Sequence, residues 1–254
     1  MMDIHKEVIT FFLIFFRILS IFFLVPLFAS RQISIIFKGG FSLVFAYLIY
    51  DAPDIEWTVP THSSPFVILF REFLLGFTIT LVIRIMFAAV HMAGELVSLQ
   101  SGFSYARFMD PYTMEQTSFF VRFNYFLAIL VFFAIDGHYV LIEAIHKSFI
   151  VIPPGGFLFT KPLFDYVLTV SQVIFSTSLK IGAPIVVTLF FIEISLGIAS
   201  RLIPYMNVFI EGIPIKILAT LCIFSISLNF IVPVISNVFK TMESGIIHII
   251  KVAG

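Results

Sequence analysis

Seven apolar segments, most of them too long for strands of a soluble protein, constrain the fold of this chain most strongly. They run roughly over residues 8–28, 35–50, 66–92, 119–135, 137–152, 166–199 and 213–239. None of them alternates apolar and polar residues with the period of a half-buried strand. In a bilayer the backbone must satisfy its own hydrogen bonds, which also favours helices over open sheets. The sequence therefore predicts an all-α fold.

The balance of residue types indicates that water is not the main solvent of these helices. Apolar residues make up 60% and charged residues 12% of the 254 positions, whereas soluble domains have about 45–50% apolar and about a quarter charged residues. A domain of this size cannot hide so much apolar surface from water. Its formal net charge of zero provides no basic surface for nucleic acid. We expect the helices to contact lipid, partner proteins or both.

The N-terminus and the lone cysteine exclude several other classes. Asp3 and Glu7 flank Lys6, so the positive region of a secretory signal is missing and the first apolar segment is expected to be retained. A single cysteine, Cys222, cannot form a disulfide framework or a cysteine-based metal site. Its apolar surroundings predict a small buried side chain.

Charged residues interrupt most of the apolar segments. Each of them would cost about 2.5–3.5 kcal/mol at a bilayer centre, so they are expected to face other helices, a water-filled path or the interface. An alternative for the arginines at positions 17, 71 and 122 is that they reach the interface from helix ends. The charges concerned are Arg17, Arg71, Glu72, Arg84, Arg122, Lys180 and Glu193.

Prolines add a second reason to expect interrupted helices. A proline within a helix kinks or ends it, and backbone groups freed at membrane depth must be covered by protein or a cavity. Five prolines lie within or beside the apolar segments: Pro26, Pro184, Pro204, Pro214 and Pro233. The run Pro153–Gly156 predicts a sharp turn. The pattern predicts broken helices that pack against neighbours.

Few residues suggest chemistry. His91 and Glu95 are four residues apart and could share a metal, but no HExxH motif or third ligand lies near in sequence, and an ion pair or hydrogen bond explains the spacing better. Asp136 and His138 flank a glycine, which is typical of a helix junction. GxSxG, P-loop and GxGxxG motifs do not occur. The sequence predicts no catalytic, metal or cofactor site.

A polar stretch over residues 101–117 is unusual in so apolar a chain. Four of the eight methionines lie in or near it: Met86, Met92, Met109 and Met114. The chain also has 34 phenylalanines. Thioether side chains adapt to irregular gaps, so the stretch is compatible with a deformable plug, although its residue types by themselves favour ordinary core packing.

Several short motifs, in this order and spacing, resemble the FliR family of membrane components of flagellar and related type III protein-export gates. They are Gly94-Glu95, Gln100, Gly102-Phe103, Asp110-Pro111, Asp136-Gly137-His138, Ser148-Phe149 with Pro153, Leu196 to Arg201, Pro204, Met206 to Phe209, Gly212, Pro214 and Lys216. The resemblance covers nearly the whole chain. Tyr205 departs from it, since a glutamine is expected there.

The resemblance implies a single export-gate membrane domain over residues 1–254, located in the bacterial inner membrane at the flagellar basal body. Its helical hairpins are expected to assemble with FliP-like and FliQ-like subunits into a pore, contacted by FlhB-like and FlhA-like export proteins. Unfolded protein subunits would pass through that pore. No enzymatic activity or cofactor is implied.

The resemblance also implies two sets of functional residues. The loop 103–117 resembles the family's plug, in which the candidate residues are Gly102, Phe103, Phe108, Met109, Asp110, Pro111 and Met114. Gly102 would let the chain leave its helix, and Asp110-Pro111 would restrict the turn. Candidate subunit contacts are Glu95, Gln100, Arg201, Pro204, Asn207, Phe209, Gly212, Pro214 and Lys216.

Two other functional classes stay open at this point. A small-solute transporter would also contain broken helices and buried charges, but it should show two related halves, and no convincing repeat is found. An intramembrane enzyme would need a convergent set of catalytic side chains, which the sequence does not supply.

Overall fold

The computed structural model describes residues 2–28, 33–52, 64–103, 118–202 and 208–253, and throughout these residues every regular element is a helix. The helices are α1 (Met2–Leu24), α2 (Ile35–Tyr50), α3 (Pro65–Ser101), α4 (Phe119–Ala134), α5 (Gly137–Val151), α6 (Lys161–Leu202) and α7 (Val208–Ala253). The prediction of an all-α fold is confirmed, and one helix corresponds to each of the seven apolar segments.

Helix α7 continues well beyond the apolar segment that predicted it. Residues 240–253 carry buried Met242, Ile246, Ile249 and Ile250 at helical spacing, while Lys240 is exposed. Such an amphipathic pattern is enough for a helix that buries one face. The polar residues on the other face interrupt the run of apolar residues, so this segment is not part of a predicted apolar segment.

The described chain divides into two compact units. The first comprises residues 1–85, 136–171 and 239–254, and the second comprises residues 86–135 and 172–238. Neither unit is a continuous stretch, because α3, α6 and α7 each contribute residues to both. The prediction of a single domain over residues 1–254 stays a prediction.

In the first unit, α1 and α2 form an antiparallel hairpin held by aromatic rings. The ring of Phe22 lies 4.9 Å from that of Phe41 and 5.2 Å from that of Phe45, both edge-on. Near the other end of the hairpin, Phe11 contacts Tyr50 at 6.1 Å. Edge-to-face pairs of this kind add to the apolar area they bury, so the abundant phenylalanines account for the pairing of these two helices.

In the second unit, α3 and α4 approach so closely that one position admits only glycine. A Cβ atom at Gly94 would lie 2.8 Å from Cα of Val121 and 3.1 Å from the carbonyl oxygen of Phe120. Phe87, two turns earlier on α3, packs its ring 5.9 Å from both Tyr125 and Phe132. The Gly94 position of the family motif is therefore explained by helix packing.

Two of the predicted interruptions are present. Asp136 has φ 60°, a left-handed conformation that separates α4 from α5, as expected for a helix junction. Gly155 has φ 81°, and the N–H of Gly156 donates to the carbonyl of Pro153, so the predicted sharp turn is confirmed.

The prolines behave differently from one another. Pro184 lies inside α6, and Pro214 and Pro233 lie inside α7, so none of these three ends its helix. At these positions the expected effect of proline is therefore limited to a kink, which stays a prediction. Pro26 lies in the turn that follows α1, and Pro204 lies outside the described residues.

Four helical stretches are long and apolar enough to cross a membrane, and the bent pair α4 and α5 would make a fifth if counted as one span. They are Glu7–Leu24, Pro65–Ser101, Lys161–Leu202 and Glu211–Ala253. A helix of 42 residues such as α6 has a contour length of about 63 Å, against a hydrocarbon core of about 30 Å. The protein is a multi-pass membrane protein whose longest helices exceed the thickness of the bilayer core.

Helices α6 and α7 are the least covered of these spans. Only 22% of the most apolar window of each is buried, compared with 67% for α3. Cys222 on α7 is exposed, so the expectation of a buried thiol is wrong. The reason is that an apolar residue on such a helix can face lipid or a partner protein instead of the interior of its own chain.

The close approach of α3 and α4 leads to a stability prediction. Replacing Gly94→Ala should lower the free energy of unfolding of the purified chain by about 1–3 kcal/mol, since a backbone atom opposes the new methyl group. Equilibrium denaturation in mild detergent would measure it. The matched control is Gly197→Ala, where nothing lies within 4 Å of the added Cβ and alanine favours the helix. Equal stability of the two variants would contradict the packing argument.

Candidate functional site

The end of α3, where the chain enters the predicted plug loop, is the candidate functional site in the second unit. The hydroxyl of Ser98 donates to that of Ser118 at 2.5 Å, so the residues on either side of the loop are joined. Ser101, the last residue of α3, donates its hydroxyl to the Ser98 carbonyl at 3.1 Å. Gly102 follows with φ 88°, the left-handed conformation that commonly ends helices at glycine.

Aromatic packing holds the first residue of that loop. The ring of Phe103 meets Phe120 edge-on at 5.0 Å and stacks against Phe119 at 6.4 Å. Phe120 is fully buried and also contacts Phe224 of α7 at 5.2 Å. Phe103 is thus anchored to α4, and through Phe120 to α7.

A second set of contacts, which we call the Glu193 cluster, consists of Gln100, Glu193 and Lys216. The amide Nε2 of Gln100 donates to Oε2 of Glu193 at 3.0 Å. The ammonium of Lys216 donates to the other carboxylate oxygen, Oε1. One carboxylate therefore joins the last turn of α3 to both α6 and α7.

The structure places only some of the predicted site residues. Arg201 and Pro214 are exposed, Gly212 is buried and Glu95 is half-buried. The structure describes Phe209 only as part of the α7 backbone. The predicted residues that lie outside the described part of the chain are Phe108, Met109, Asp110, Pro111, Met114, Pro204 and Asn207.

Sequence reasoning missed two polar features near this site. The sequence marks Glu193 only as a charge in an apolar segment, although its spacing of 23 residues from Lys216 is compatible with a contact across a hairpin. Asn124 on α4 is 1% exposed, and its amide has no hydrogen-bond partner among the described residues. In the described residues no group of three metal-ligating side chains occurs.

The first unit contains a fully buried ion pair between α1 and α3. Nε of Arg17 donates to Oε2 of Glu72 at 2.6 Å, and Nη2 donates to Oε1 at 3.1 Å. Both side chains are completely inaccessible. The alternative that Arg17 reaches the interface is therefore wrong, because the guanidinium finds its counter-charge inside its own chain.

The remaining hydrogen-bonding groups of this ion pair are also used. Nη1 of Arg17 donates to the carbonyl oxygens of Ser148 and Ile152 at the end of α5, each at 3.0 Å. The Ser148 carbonyl also accepts the backbone N–H of Ile152. The carboxylate of Glu72 accepts the N–H of Gly155 at 2.5 Å. Arg71 donates to the carbonyl of Gly155 at 3.1 Å. The ion pair thus ties α1 and α3 to the turn between α5 and α6.

Comparisons with known proteins show the family of the chain. A model of the family described as "Bacterial export proteins, family 1" matches residues 8–242. The flagellar biosynthetic protein FliR of Bacillus subtilis is 31% identical, with 92% of each chain covered. The chain belongs to this FliR family of bacterial export proteins. The FliR protein of Pectobacterium carotovorum is 31% identical over 94% of this chain and 91% of its own, and that of Escherichia coli 25% over 92% and 90%.

Family membership confirms the resemblance drawn from the motifs. The end of α3, at the base of the predicted plug loop, contains Gln100, Gly102 and Phe103 from those motifs. Lys216, from a further motif, contacts Glu193, which also contacts Gln100. The ion pair in the first unit includes Ser148 from a further motif. The Glu193 cluster therefore brings together two motif residues that are distant in sequence, Gln100 and Lys216, whereas the ion pair contains one motif residue, Ser148.

The buried ion pair predicts a large effect of a small substitution. Changing Glu72→Gln should lower the free energy of unfolding by about 3–5 kcal/mol, because it leaves the buried Arg17 charge uncompensated. The exposed pair Glu143–Lys147 on α5 provides the control, since Glu143→Gln should change stability by less than about 1 kcal/mol. Similar losses in the two variants, measured by denaturation in detergent, would contradict the assigned role of burial.

Proposed function

We propose that this chain is a structural, pore-forming component of the flagellar-type, or type III, protein export gate in the bacterial inner membrane. The observation that carries the proposal is the match to FliR proteins over nine-tenths of both chains. The all-helical multi-pass fold agrees with a role in building a passage rather than in catalysis. Its passengers would be unfolded flagellar subunits, exported during assembly of the flagellum.

The proposed partners are FliP-like and FliQ-like subunits in one hetero-oligomeric complex, with FlhB-like and FlhA-like proteins beside it in the basal body. The exposed apolar side chains of α6 and α7 support this part of the proposal. Phe175, Phe190, Phe191 and Leu218 are each more than half exposed. Proteins rarely leave so many large apolar side chains uncovered in water, so lipid or partner helices must cover them.

The loop 103–117 is proposed to close the channel. The base of the loop is held by the Ser98–Ser118 hydrogen bond and by the packing of Phe103. These contacts would allow the tip of the loop to change its conformation while the base stays in place. The side chains proposed to block the lumen are Phe103, Phe108, Met109 and Met114, of which the structure describes Phe103.

Deleting residues 106–114 tests this role. In cells that make the complete complex, the deletion should raise the leak of small ions and solutes across the membrane, because the apolar side chains that block the lumen are removed. Membrane conductance and secretion of flagellar subunits are the measurements. If both are the same as in the wild type, the loop is not a plug.

Among the proposed subunit contacts, Arg201 is the best placed. It is exposed in the last turn of α6, whereas Gln100 and Lys216 contact Glu193 within the chain. Arg201 is therefore available to a carboxylate or a carbonyl of another subunit. Asn207 and Pro204, also proposed as contacts, lie outside the described residues.

Changing Arg201→Ala should lower the recovery of FliP-like and FliQ-like subunits with the tagged chain in mild detergent, while insertion of the chain in the membrane stays unchanged. Lys251→Ala is the matched control, since Lys251 is likewise an exposed cation in the last turn of its helix. Normal recovery with Arg201→Ala would rule out the contact. Recovery of a homo-oligomer without such subunits would instead favour a small-solute transporter.

A further inference from the structure

We propose that Glu193 is a positioning residue that fixes the end of α3 to α6 and α7 and so holds the base of the proposed plug in place. This inference rests on the proposed function of loop 103–117. Glu193 is not among the FliR-like motif residues named above, but it lies where α3, α6 and α7 meet.

The two carboxylate oxygens of Glu193 have different partners. Oε2 accepts the amide N–H of Gln100 at 3.0 Å, and Oε1 accepts the ammonium of Lys216. Neither contact is between near neighbours, since 93 residues separate Gln100 from Glu193 and 23 separate Glu193 from Lys216. One side chain therefore connects three helices, and its removal breaks both connections.

The surroundings of the Glu193 cluster make this carboxylate more than a solvated surface charge. The side chain of Glu193 is 41% exposed and that of Lys216 20%, a degree of exposure at which an ion pair contributes little in water. However, the neighbouring exposed side chains are apolar: Phe190, Phe191, Ile194, Ile215 and Leu218. Next to lipid or a partner protein the effective dielectric is lower, which strengthens the pair and penalises an unpaired charge.

The position of Gln100 links the cluster to the loop. Gln100 lies in the last turn of α3, and Gly102 with φ 88° and Phe103 follow directly. A shift of Gln100 is therefore passed on to Phe103 through two residues. The Ser98–Ser118 hydrogen bond joins α3 to the start of α4, and Phe120 packs on Phe224 of α7. Glu193 adds the polar contact that connects the end of α3 to both α6 and α7.

The test uses single and paired charge changes in the assembled complex. Glu193→Ala should increase the resting ion leak at least about fivefold, the lower end of typical coupling between linked sites, while Glu193→Gln should have a smaller effect because its amide can still accept from Gln100. Exchanging the charges, Glu193→Lys with Lys216→Glu, should return the leak towards the wild-type value, since the amide of Gln100 can also accept from lysine.

Three outcomes would overturn the inference. The first is a normal leak with Glu193→Ala. The second is a leak that the charge exchange does not reduce. The third is loss of the chain from the membrane in all three variants, which would assign Glu193 to folding alone. Glu143→Ala, which breaks the exposed pair with Lys147 on α5, is the control and should leave the leak unchanged.

The loop deletion separates this inference from the proposed function. If deleting residues 106–114 raises the leak and Glu193→Ala does not, the plug stands and the role of Glu193 fails. If neither change raises the leak, the plug itself fails.

Discussion

The first unit depends on a buried ion pair whose hydrogen-bonding capacity is almost fully used. An isolated ionised side chain inside a protein is very costly, and a buried pair is tolerated only when further hydrogen bonds satisfy its remaining groups. Arg17 meets this condition through Glu72 and two carbonyls at the end of α5, and Glu72 through Arg17 and the N–H of Gly155. Gly155 has a left-handed conformation and donates this N–H to Glu72, which is 83 residues earlier in the chain. The conformation of the turn and the hydrogen bonding of the buried carboxylate therefore depend on each other.

The Glu193 cluster of the second unit follows a different logic. Its carboxylate is partly exposed, whereas Glu72 is completely buried. In water, removing one partner of the exposed pair would change stability little, whereas removing one partner of the buried pair would leave an uncompensated buried charge. The surface beside Glu193 is apolar, however, so the strength of this cluster depends on what covers α6 and α7. An ion pair of that kind is sensitive to assembly in a way that the Arg17–Glu72 pair is not.

Much of the fold could be predicted from the sequence, because long apolar segments leave helices as the main option, and each segment did correspond to one helix. The end of α7 could not, since residues 240–253 are amphipathic rather than uniformly apolar. Pairing of charges was also beyond reach: Arg17 and Glu72 are 55 residues apart, and no local pattern joins them. The motif glycine at position 94 was noticed, but only the crossing of α3 and α4 explains it. For the loop, the candidate residues stay a prediction, and the structure adds the contacts of Phe103 and of the helix ends beside it.

The contacts that charged residues make within the chain change the physical reason for expecting partner subunits. Charges in apolar helices first suggested that other subunits surround those helices, yet Arg17 and Glu72 neutralise each other within the chain, Arg71 donates to Gly155, and Glu193 is paired with Lys216. Charge alone therefore requires no partner at these positions. The requirement comes instead from α6 and α7, whose apolar windows are only 22% buried and whose lengths exceed the bilayer core. Because lipid cannot cover what projects beyond the hydrocarbon, the apolar residues there need other helices, which is what a multi-subunit gate would supply.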